Sequence, residues 1–241
     1  SLVVIPELAY PTYEVGALLA RASVVRSDGL MALGPQNPSI IWLNSPSNPT
    51  GRVLPVAHLR KVVTWARERG SIVVSDECYL SLGWDAQPVS VLHPSVNEGS
   101  LSGILAVHSL SKSSSLAGYR AGFVTGDPAL VAGLLEVRRH AGMMVPRPVQ
   151  EAMTAALSDD SHVAAQKERY RARRTILRDA LESAGFTIDH SEAGLYLWAT
   201  RGEDAWKTLS WLAELGILVA PGTFYGPKGS QHVRVALTAT D

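Results

Sequence analysis

The sequence predicts an α/β protein with a mostly parallel central sheet, helices on both faces of it, and a smaller α+β domain at the C-terminal end. Over the first half, short apolar runs rich in β-branched residues alternate with longer segments of helical period, as in parallel sheets. One helical segment lies between two of these runs, which is the pattern of a βαβ unit. After Gly126 the pattern changes to helices and then to short alternating elements.

Five strands are predicted in the first half, at residues 2–5, 40–44, 71–75, 104–108 and 119–125. A helix is predicted between the second and third strands. Pro55 suits its first turn and Gly70 is a stop signal. Its apolar positions fall on one face, namely Val56, Leu59, Val62, Val63 and Ala66.

The second half is predicted to begin with helices at 128–141 and 149–157, followed by a long polar segment at about 160–184 that is rich in arginine. Shorter elements follow at 186–188, 194–199, 204–215, 217–220 and 232–237, of which 204–215 is a helix. This change of pattern places a domain boundary near residue 160. We therefore predict a large domain at 1–159 and a small domain at 160–241, and we expect the sequence to be cut at both ends.

Composition favours small-molecule chemistry in the cytoplasm. Lys plus Arg and Asp plus Glu each number 22, so the net charge is zero and provides no field that would gather nucleic acid or anionic lipid. No apolar run is long enough to span a membrane. The single cysteine, Cys78, excludes an intramolecular disulfide framework and is interpreted as a small buried hydrophobe. The histidines show no metal-ligand spacing, so no metal site is predicted.

A serine cluster around Lys112 is the sharpest local feature. It contains Ser109 and Ser111, directly follows the predicted strand at 104–108, and precedes Arg120 by eight residues. A lysine in such a loop is usually only a solvated residue. Hydroxyl groups and a guanidinium around one lysine can also hold a phosphate while the amine does covalent chemistry.

The same residues match a rival motif, the S-x-x-K signature of penicillin-binding enzymes, with Ser109 as the nucleophile. That signature needs S-D-N and K-T-G partners. The chain has Ser75-Asp76-Glu77 and Lys207-Thr208-Leu209 instead, both in the wrong context. The acyl-transfer interpretation is therefore disfavoured.

Two further motifs follow predicted strands. Asn48 lies in an Asn-Pro-Thr-Gly turn that ends at Gly51, and Asp76 and Tyr79 form an Asp-x-x-Tyr motif. Turn punctuation and helix capping can explain each of them alone. Open α/β sheets, however, bind ligands at the carboxyl ends of their strands, where all these motifs lie.

In this order, and with Arg234 late in the chain, the motifs resemble those of the fold-type-I aminotransferases that depend on pyridoxal phosphate (PLP). The resemblance covers nearly the whole chain and implies the aspartate-aminotransferase fold. The amino-acid sequences of several segments are most similar to those of the actinobacterial succinyldiaminopimelate aminotransferases of lysine biosynthesis. The segments are 75–79, 108–112, 116–123 and 191–198.

The resemblance assigns roles to the residues that react with substrate and cofactor. Lys112 would carry PLP covalently and move a proton during the reaction, and Asp76 would pair with the pyridine nitrogen. Asn48 and Tyr79 would hydrogen-bond the phenolic oxygen of the ring. Arg234 would bind the α-carboxylate of the substrate, although an arginine in an alternating strand is usually a solvated residue.

The resemblance also assigns the phosphate contacts to Ser109, Ser111 and Arg120. It implies that a phosphate-binding turn, an aromatic ring stacked on the cofactor and an N-terminal arm lie upstream of residue 1. Tyr10 resembles a family residue near the substrate pocket, although core packing explains it equally well. A larger parent chain is therefore expected.

The implied function is transamination between an amino acid, with glutamate and 2-oxoglutarate as one pair, and the keto acid N-succinyl-2-amino-6-ketopimelate. The implied assembly is a homodimer. The same residues would also serve another PLP enzyme, such as a C–S β-lyase. A third hypothesis is a ligand-sensing domain of a transcription regulator that keeps this fold.

Overall fold

The computed structural model describes residues 1–239. Its first sheet contains the strands β1 Leu2–Ile5, β2 Ser23–Arg26, β3 Ile40–Asn44, β4 Ile72–Asp76, β5 Ile104–Ser109 and β6 Gly122–Gly126. They lie in the order β2-β1-β3-β4-β5-β6. The first five are parallel and β6 is antiparallel to β5, which confirms the predicted mostly parallel sheet.

Helices cover both faces of this sheet, as predicted. Seven α-helices lie within residues 1–183: α1 Thr12–Leu19, α2 Val56–Glu68, α3 Pro94–Asn97, α4 Leu110–Ser113, α5 Pro128–His140, α6 Arg147–Leu157 and α7 Ser161–Ser183. Short 3-10 turns occur at Leu30–Leu33, Ala117–Tyr119, Gly222–Phe224 and Pro227–Gly229.

The two faces have separate apolar cores because side chains of a strand alternate between them. On one face α2 buries Leu59, Val62, Val63 and Ala66 in a cluster that includes Ile41 of β3. Each fully buried aliphatic side chain contributes about 1.5–3 kcal/mol. On the other face α1 packs through Tyr13 and Ala17 against side chains that include Trp42.

The second sheet is antiparallel and contains β7 Thr187–Asp189, β8 Tyr196–Thr200, β9 Ala220–Pro221 and β10 His232–Ala236. The strand order is β7-β8-β10-β9, and helix α8 spans Ala205–Glu214. These elements form their own apolar cluster around Leu195 and Leu197. The predicted α+β character is confirmed, and the boundary near residue 160, which falls between α6 and α7, stays a prediction.

Several elements differ from the sequence prediction. The strand expected at 119–125 begins only at Gly122, because residues 117–119 form a 3-10 turn and Arg120 has a left-handed backbone with φ of 55°. The serine cluster, interpreted as a loop, contains the short helix α4. The side chain of Ser109 starts this helix by accepting a hydrogen bond from the backbone N–H of Ser111. Helix α1 and strand β2 were not predicted.

Within residues 1–239, no helix combines the length and the apolar character needed to cross a bilayer.

Candidate active site

The strand register brings the predicted motifs to one edge of the first sheet. Asn44 at the end of β3 pairs with Asp76 at the end of β4, and Asp76 pairs in turn with Val107 of β5. Lys112 follows β5 in α4. The carboxyl ends of three neighbouring parallel strands therefore carry these groups, which is where open α/β sheets bind ligands.

Two hydrogen-bond donors orient the side chain of Asp76. Its Oδ2 accepts a hydrogen bond of 2.6 Å from the hydroxyl of Tyr13, and its Oδ1 accepts one of 3.1 Å from the backbone N–H of Cys78. The Tyr13 ring stacks on Trp42 with 4.6 Å between ring centroids. Burial, followed by the charge of Asp76, raises the pKa of Tyr13 well above its ordinary value, so this phenol stays a donor.

The pKa of the Cys78 thiol is affected by two neighbouring charged groups. Burial raises the pKa of its thiol, the carboxylate of Asp76 raises it further, and the positive charge of Lys112 partly opposes the rise. Asp76 and Lys112 are therefore both close enough to act on this thiol. The thiol stays protonated, and Cys78 packs against the apolar cluster of the second sheet although it is partly rather than fully buried.

Asn48 and Arg234 meet although 186 residues separate them. The Oδ1 atom of Asn48 accepts a hydrogen bond of 2.8 Å from Nη1 of Arg234. Asn48 is buried, and its backbone N–H donates to Oδ1 of Asn44 at 2.7 Å. The Arg234 guanidinium lies 3.9 Å from the centroid of the Tyr196 ring, so this arginine is not a solvated residue of an exposed strand face.

The Nε atom of Arg234 is also buried, and among residues 1–239 it has no hydrogen-bond partner. The centroid of the Tyr225 ring lies 5.1 Å from the central carbon of the Arg234 guanidinium. A buried, unpaired N–H donor is costly unless a ligand pairs with it. Arg234 therefore has the chemistry of an anion-binding side chain.

Tyr79 points its hydroxyl at a second tyrosine. The hydroxyl oxygens of Tyr79 and Tyr196 are 3.1 Å apart, and both side chains are buried. Burial, followed by the neighbouring Tyr196, raises the pKa of Tyr79 well above its ordinary value. Tyr79 is therefore a neutral hydrogen-bonding group at any ordinary pH.

The three groups predicted to bind phosphate lie on the segment around Lys112. The Oγ atom of Ser109 caps α4, Ser111 is half-buried in the first turn of α4, and Arg120 is exposed and donates to the carbonyl of Ala117 at 2.9 Å. Hydroxyls and backbone N–H groups at this point suit an anion. Their role as phosphate ligands stays a prediction.

Tyr13, Tyr196 and Tyr225 were missed as site residues. The Tyr10-x-x-Tyr13 spacing after β1 was the available signal, since it places both rings beside the end of a parallel strand. Tyr10 is 44% exposed, and its ring lies edge-on to that of Tyr13 with centroids 5.9 Å apart. An exposed aromatic ring is therefore present beside the partner of Asp76.

The loop after β1 is joined to the segment between β9 and β10 at Tyr225. The carbonyl of Tyr225 accepts hydrogen bonds from the backbone N–H of Ala9 at 2.9 Å and from Nη1 of Arg26 at 3.1 Å. The Asn-Pro-Thr-Gly turn is joined to the second half of the chain too, because Ser191 donates its N–H to the carbonyl of Thr50. Both halves of the chain thus build the site.

No group of three or more His, Cys, Asp and Glu side chains in the described part of the chain is arranged to hold a metal ion.

The whole chain, residues 1–241, matches the family model for aminotransferases of class I and II. It is 71% identical over 241 residues to the probable aminotransferase Rv1178 of Mycobacterium tuberculosis, covering 100% of this chain and 58% of that protein. It is 59% identical over 239 residues to the 4-dedimethylamino-4-oxo-anhydrotetracycline transaminase OxyQ of Streptomyces rimosus, covering 99% of this chain and 67% of that protein.

The fold is also similar to that of aminotransferases of known structure. The aspartate aminotransferase of Thermotoga maritima superimposes with a TM-score of 0.90 at 22% identity, covering 100% of this chain and 66% of that one. The aspartate-aminotransferase-like fold expected from the sequence is thereby confirmed. The chain belongs to the class I and II aminotransferase family, whose members depend on PLP.

Proposed function

We propose that this chain supplies the cofactor-binding and substrate-binding residues of a transaminase that exchanges an amino group between an amino acid and a 2-oxo acid. The observation that carries the proposal is the strand register, which places Asp76 at the end of β4 beside β5, while Lys112 lies in the short helix that directly follows β5. The Asn48–Arg234 pair lies at the same edge. The sequence match to the family supports it.

The residues present fit PLP. Asp76 accepts one hydrogen bond at each oxygen and keeps further lone pairs, so it can also accept from a protonated pyridine nitrogen. Asn48 and Tyr79 would hydrogen-bond the phenolic oxygen of the ring. Ser109, Ser111 and Arg120 would hold the phosphate. The resemblance places the aromatic ring that stacks on the cofactor upstream of residue 1.

Bound PLP supplies an acceptor for the electrons released when the substrate Cα loses its proton. Asp76 would favour this by keeping a positive charge on the pyridine nitrogen. The Nζ atom of Lys112 would hold the cofactor covalently and, once a substrate amine has displaced it, would carry the proton taken from Cα. The Nε and an Nη atom of Arg234 would orient the substrate by two parallel bonds to its α-carboxylate.

The absorbance spectrum of the full-length protein with PLP tests this proposal. We expect a long-wavelength band that glutamate converts to the spectrum of the aminated cofactor. Lys112→Ala should abolish the band, whereas Lys61→Ala, at an exposed position of α2, should leave it unchanged. A protein that forms no band, or a Lys112→Ala variant that keeps it, would contradict the proposal.

For the substrates, we propose glutamate as amino donor and N-succinyl-2-amino-6-ketopimelate as acceptor, because of the resemblance in segments 75–79, 108–112, 116–123 and 191–198. A comparison of kcat/KM for this acceptor, for its form without the succinyl group and for a 4-oxo-tetracycline tests the choice. A higher value for either of the other two acceptors would reject it. Release of pyruvate from cysteine-like substrates would instead favour β-elimination.

We also propose that the protein works as a homodimer. Neither α5 nor α6 has a fully buried residue, and Leu135, Val137, Met143 and Met144 on and after α5 are exposed. An apolar area of this kind is typical of an interface. Light scattering on the full-length protein should give twice the mass of one chain, and a monomer at micromolar concentration would exclude the dimer.

A further inference from the structure

Tyr196 lies between the two groups that the proposed function assigns to the cofactor and to the substrate. On one side its hydroxyl is 3.1 Å from the hydroxyl of Tyr79. On the other side the guanidinium of Arg234 lies 3.9 Å from the centroid of its ring. Tyr196 is buried in β8, and Arg234 lies in the neighbouring strand β10. One rigid side chain thus contacts both functional groups.

The direction of the hydroxyl contact follows from the role of Tyr79. A phenol has one hydrogen to donate. If Tyr79 donates it to the phenolic oxygen of the cofactor, the hydroxyl of Tyr196 must be the donor to Tyr79. A hydroxyl oxygen that accepts a hydrogen bond becomes a stronger donor through its own hydrogen, because the bonds of a chain polarise one another. Tyr196 would therefore strengthen the bond from Tyr79 to the cofactor.

The ring contact restricts Arg234. The guanidinium is held at one end by Asn48, with the ring of Tyr196 against it and that of Tyr225 at 5.1 Å. A carboxylate that binds Arg234 must pair with a cation that already interacts with the Tyr196 ring. A shift of the Arg234 guanidinium also shifts the Tyr196 ring, because the two groups are packed against each other in a buried, close-packed region.

We propose that Tyr196 is a positioning residue that couples carboxylate binding at Arg234 to the hydrogen bond that Tyr79 gives the cofactor. The inference rests on the proposed function. It predicts that the proton affinity of the lysine-bound cofactor depends on a hydroxyl that never touches the cofactor.

Two substitutions separate the hydroxyl from the ring. Tyr196→Phe removes the hydroxyl and keeps the ring under Arg234, whereas Tyr196→Leu removes both. Tyr170→Phe is the matched control, because Tyr170 is a similarly buried tyrosine of α7 outside the site. Urea denaturation shows that each variant is folded before it is used.

The experiment is a spectrophotometric pH titration of the full-length protein loaded with PLP, with and without glutarate. Glutarate has the carboxylates of glutamate and no amino group, so it binds without reacting. The readout without glutarate is the pH midpoint at which the band of the lysine-bound cofactor changes, and it requires no turnover.

In Tyr196→Phe we expect the midpoint to rise by about half a pH unit, because a weaker donor to the ring oxygen stabilises the deprotonated form less. Glutarate should bind to this variant within about twofold of the wild-type affinity, since the ring remains. In Tyr196→Leu we expect the same rise and also about five- to tenfold weaker glutarate binding. The shift of the midpoint caused by glutarate should shrink in both variants.

The Tyr79→Phe background provides the decisive comparison. There the Tyr196→Phe substitution should change the midpoint no further, because the hydroxyl it removes has lost its acceptor. An unchanged midpoint in Tyr196→Phe, or an equal rise in both backgrounds, would overturn the inference. If the wild-type protein forms no glutamate-sensitive band, the proposed function fails and this inference fails with it, which is a different result from a normal band that ignores Tyr196.

Discussion

The hydroxyl of Tyr13 donates a hydrogen bond of 2.6 Å to Oδ2 of Asp76, across a sequence separation of 63 residues. Tyr13 belongs to α1 and Asp76 ends β4, so the contact joins a helix that covers the sheet to the carboxyl end of a central strand. Stacking of the Tyr13 ring on Trp42 fixes the direction of the hydroxyl. The carboxylate assigned to the cofactor nitrogen is thus oriented by a side chain that need not touch the cofactor.

Tyr13→Phe should weaken PLP binding about tenfold to a hundredfold, because a hydrogen bond to a charged group contributes about 1.5–3 kcal/mol. The ring and its stacking on Trp42 are kept, so the protein should still fold. Titration of the apoprotein with PLP, followed by absorbance, measures the dissociation constant. Tyr170→Phe is the control, and an equal loss of affinity in both variants would show that Asp76 does not depend on Tyr13.

Alkaline pH should destabilise the protein through its buried tyrosines. Burial is the main cause that raises the pKa of Tyr13, Tyr79 and Tyr225 above the ordinary value of 10.0. Since the pKa values in the folded state lie above those in the unfolded state, the stability contributed by these neutral, buried phenols is complete below about pH 10. It is lost as the pH rises further, because the unfolded chain then binds fewer protons.

Tyr13 and Tyr79, whose pKa values are raised well above the ordinary value, should each lower the free energy of unfolding by about 1.4 kcal/mol per pH unit above pH 10. Urea denaturation at a series of pH values measures the slope, and tyrosinate absorbance follows the ionisation directly. Tyr13→Phe should reduce the slope of the unfolding free energy against pH by the contribution of one tyrosine. Simultaneous ionisation of all seven tyrosines near pH 10 in the folded protein would contradict this prediction.

Gly51→Ala should destabilise the Asn-Pro-Thr-Gly turn. Gly51 has φ of 67°, and an added Cβ would lie 2.6 Å from the carbonyl oxygen of Ala193 and 2.8 Å from Cα of Ser191. We expect a loss of about 2–4 kcal/mol, measured by urea denaturation.

Gly70→Ala is the matched control for this position. Gly70 also has a positive φ, of 64°, but an added Cβ would meet no atom within 4 Å. Its cost should be only the backbone strain, about 1 kcal/mol. Equal losses in the two variants would mean that the contact with the segment around Ser191 does not matter for stability.

Arg234→Lys should raise the KM for glutamate by about tenfold or more. A lysine ammonium can keep one bond, to Asn48 or to the substrate, but it cannot form two parallel bonds to a carboxylate. Steady-state kinetics of the full-length protein measure the change. Arg169→Lys, at an exposed position in α7, should leave KM unchanged, and an unaffected KM in Arg234→Lys would remove Arg234 from the substrate site.

Local signals allowed much of the fold to be predicted. The apolar period of α2, the proline before it and the glycine after it are all contained in one segment, so its bounds were predicted to within one residue. The elements with the weakest apolar pattern, α1 and β2, were not predicted. Helix α1 has only two buried residues and β2 has none, so neither shows an apolar period. The strand expected from residue 119 starts three residues late, because the left-handed backbone of Arg120 is not visible in its residue type.

Motif order and residue type were enough to predict the type of fold, the family and the segments that carry Asn48, Asp76, Tyr79 and Lys112, because both are properties of the chain alone. Which side chains meet could be seen only in the folded protein. The contacts Tyr13–Asp76, Tyr79–Tyr196 and Asn48–Arg234 span 63, 117 and 186 residues. They depend on strand order and register, which follow from the packing of the whole chain and leave no trace in local periodicity.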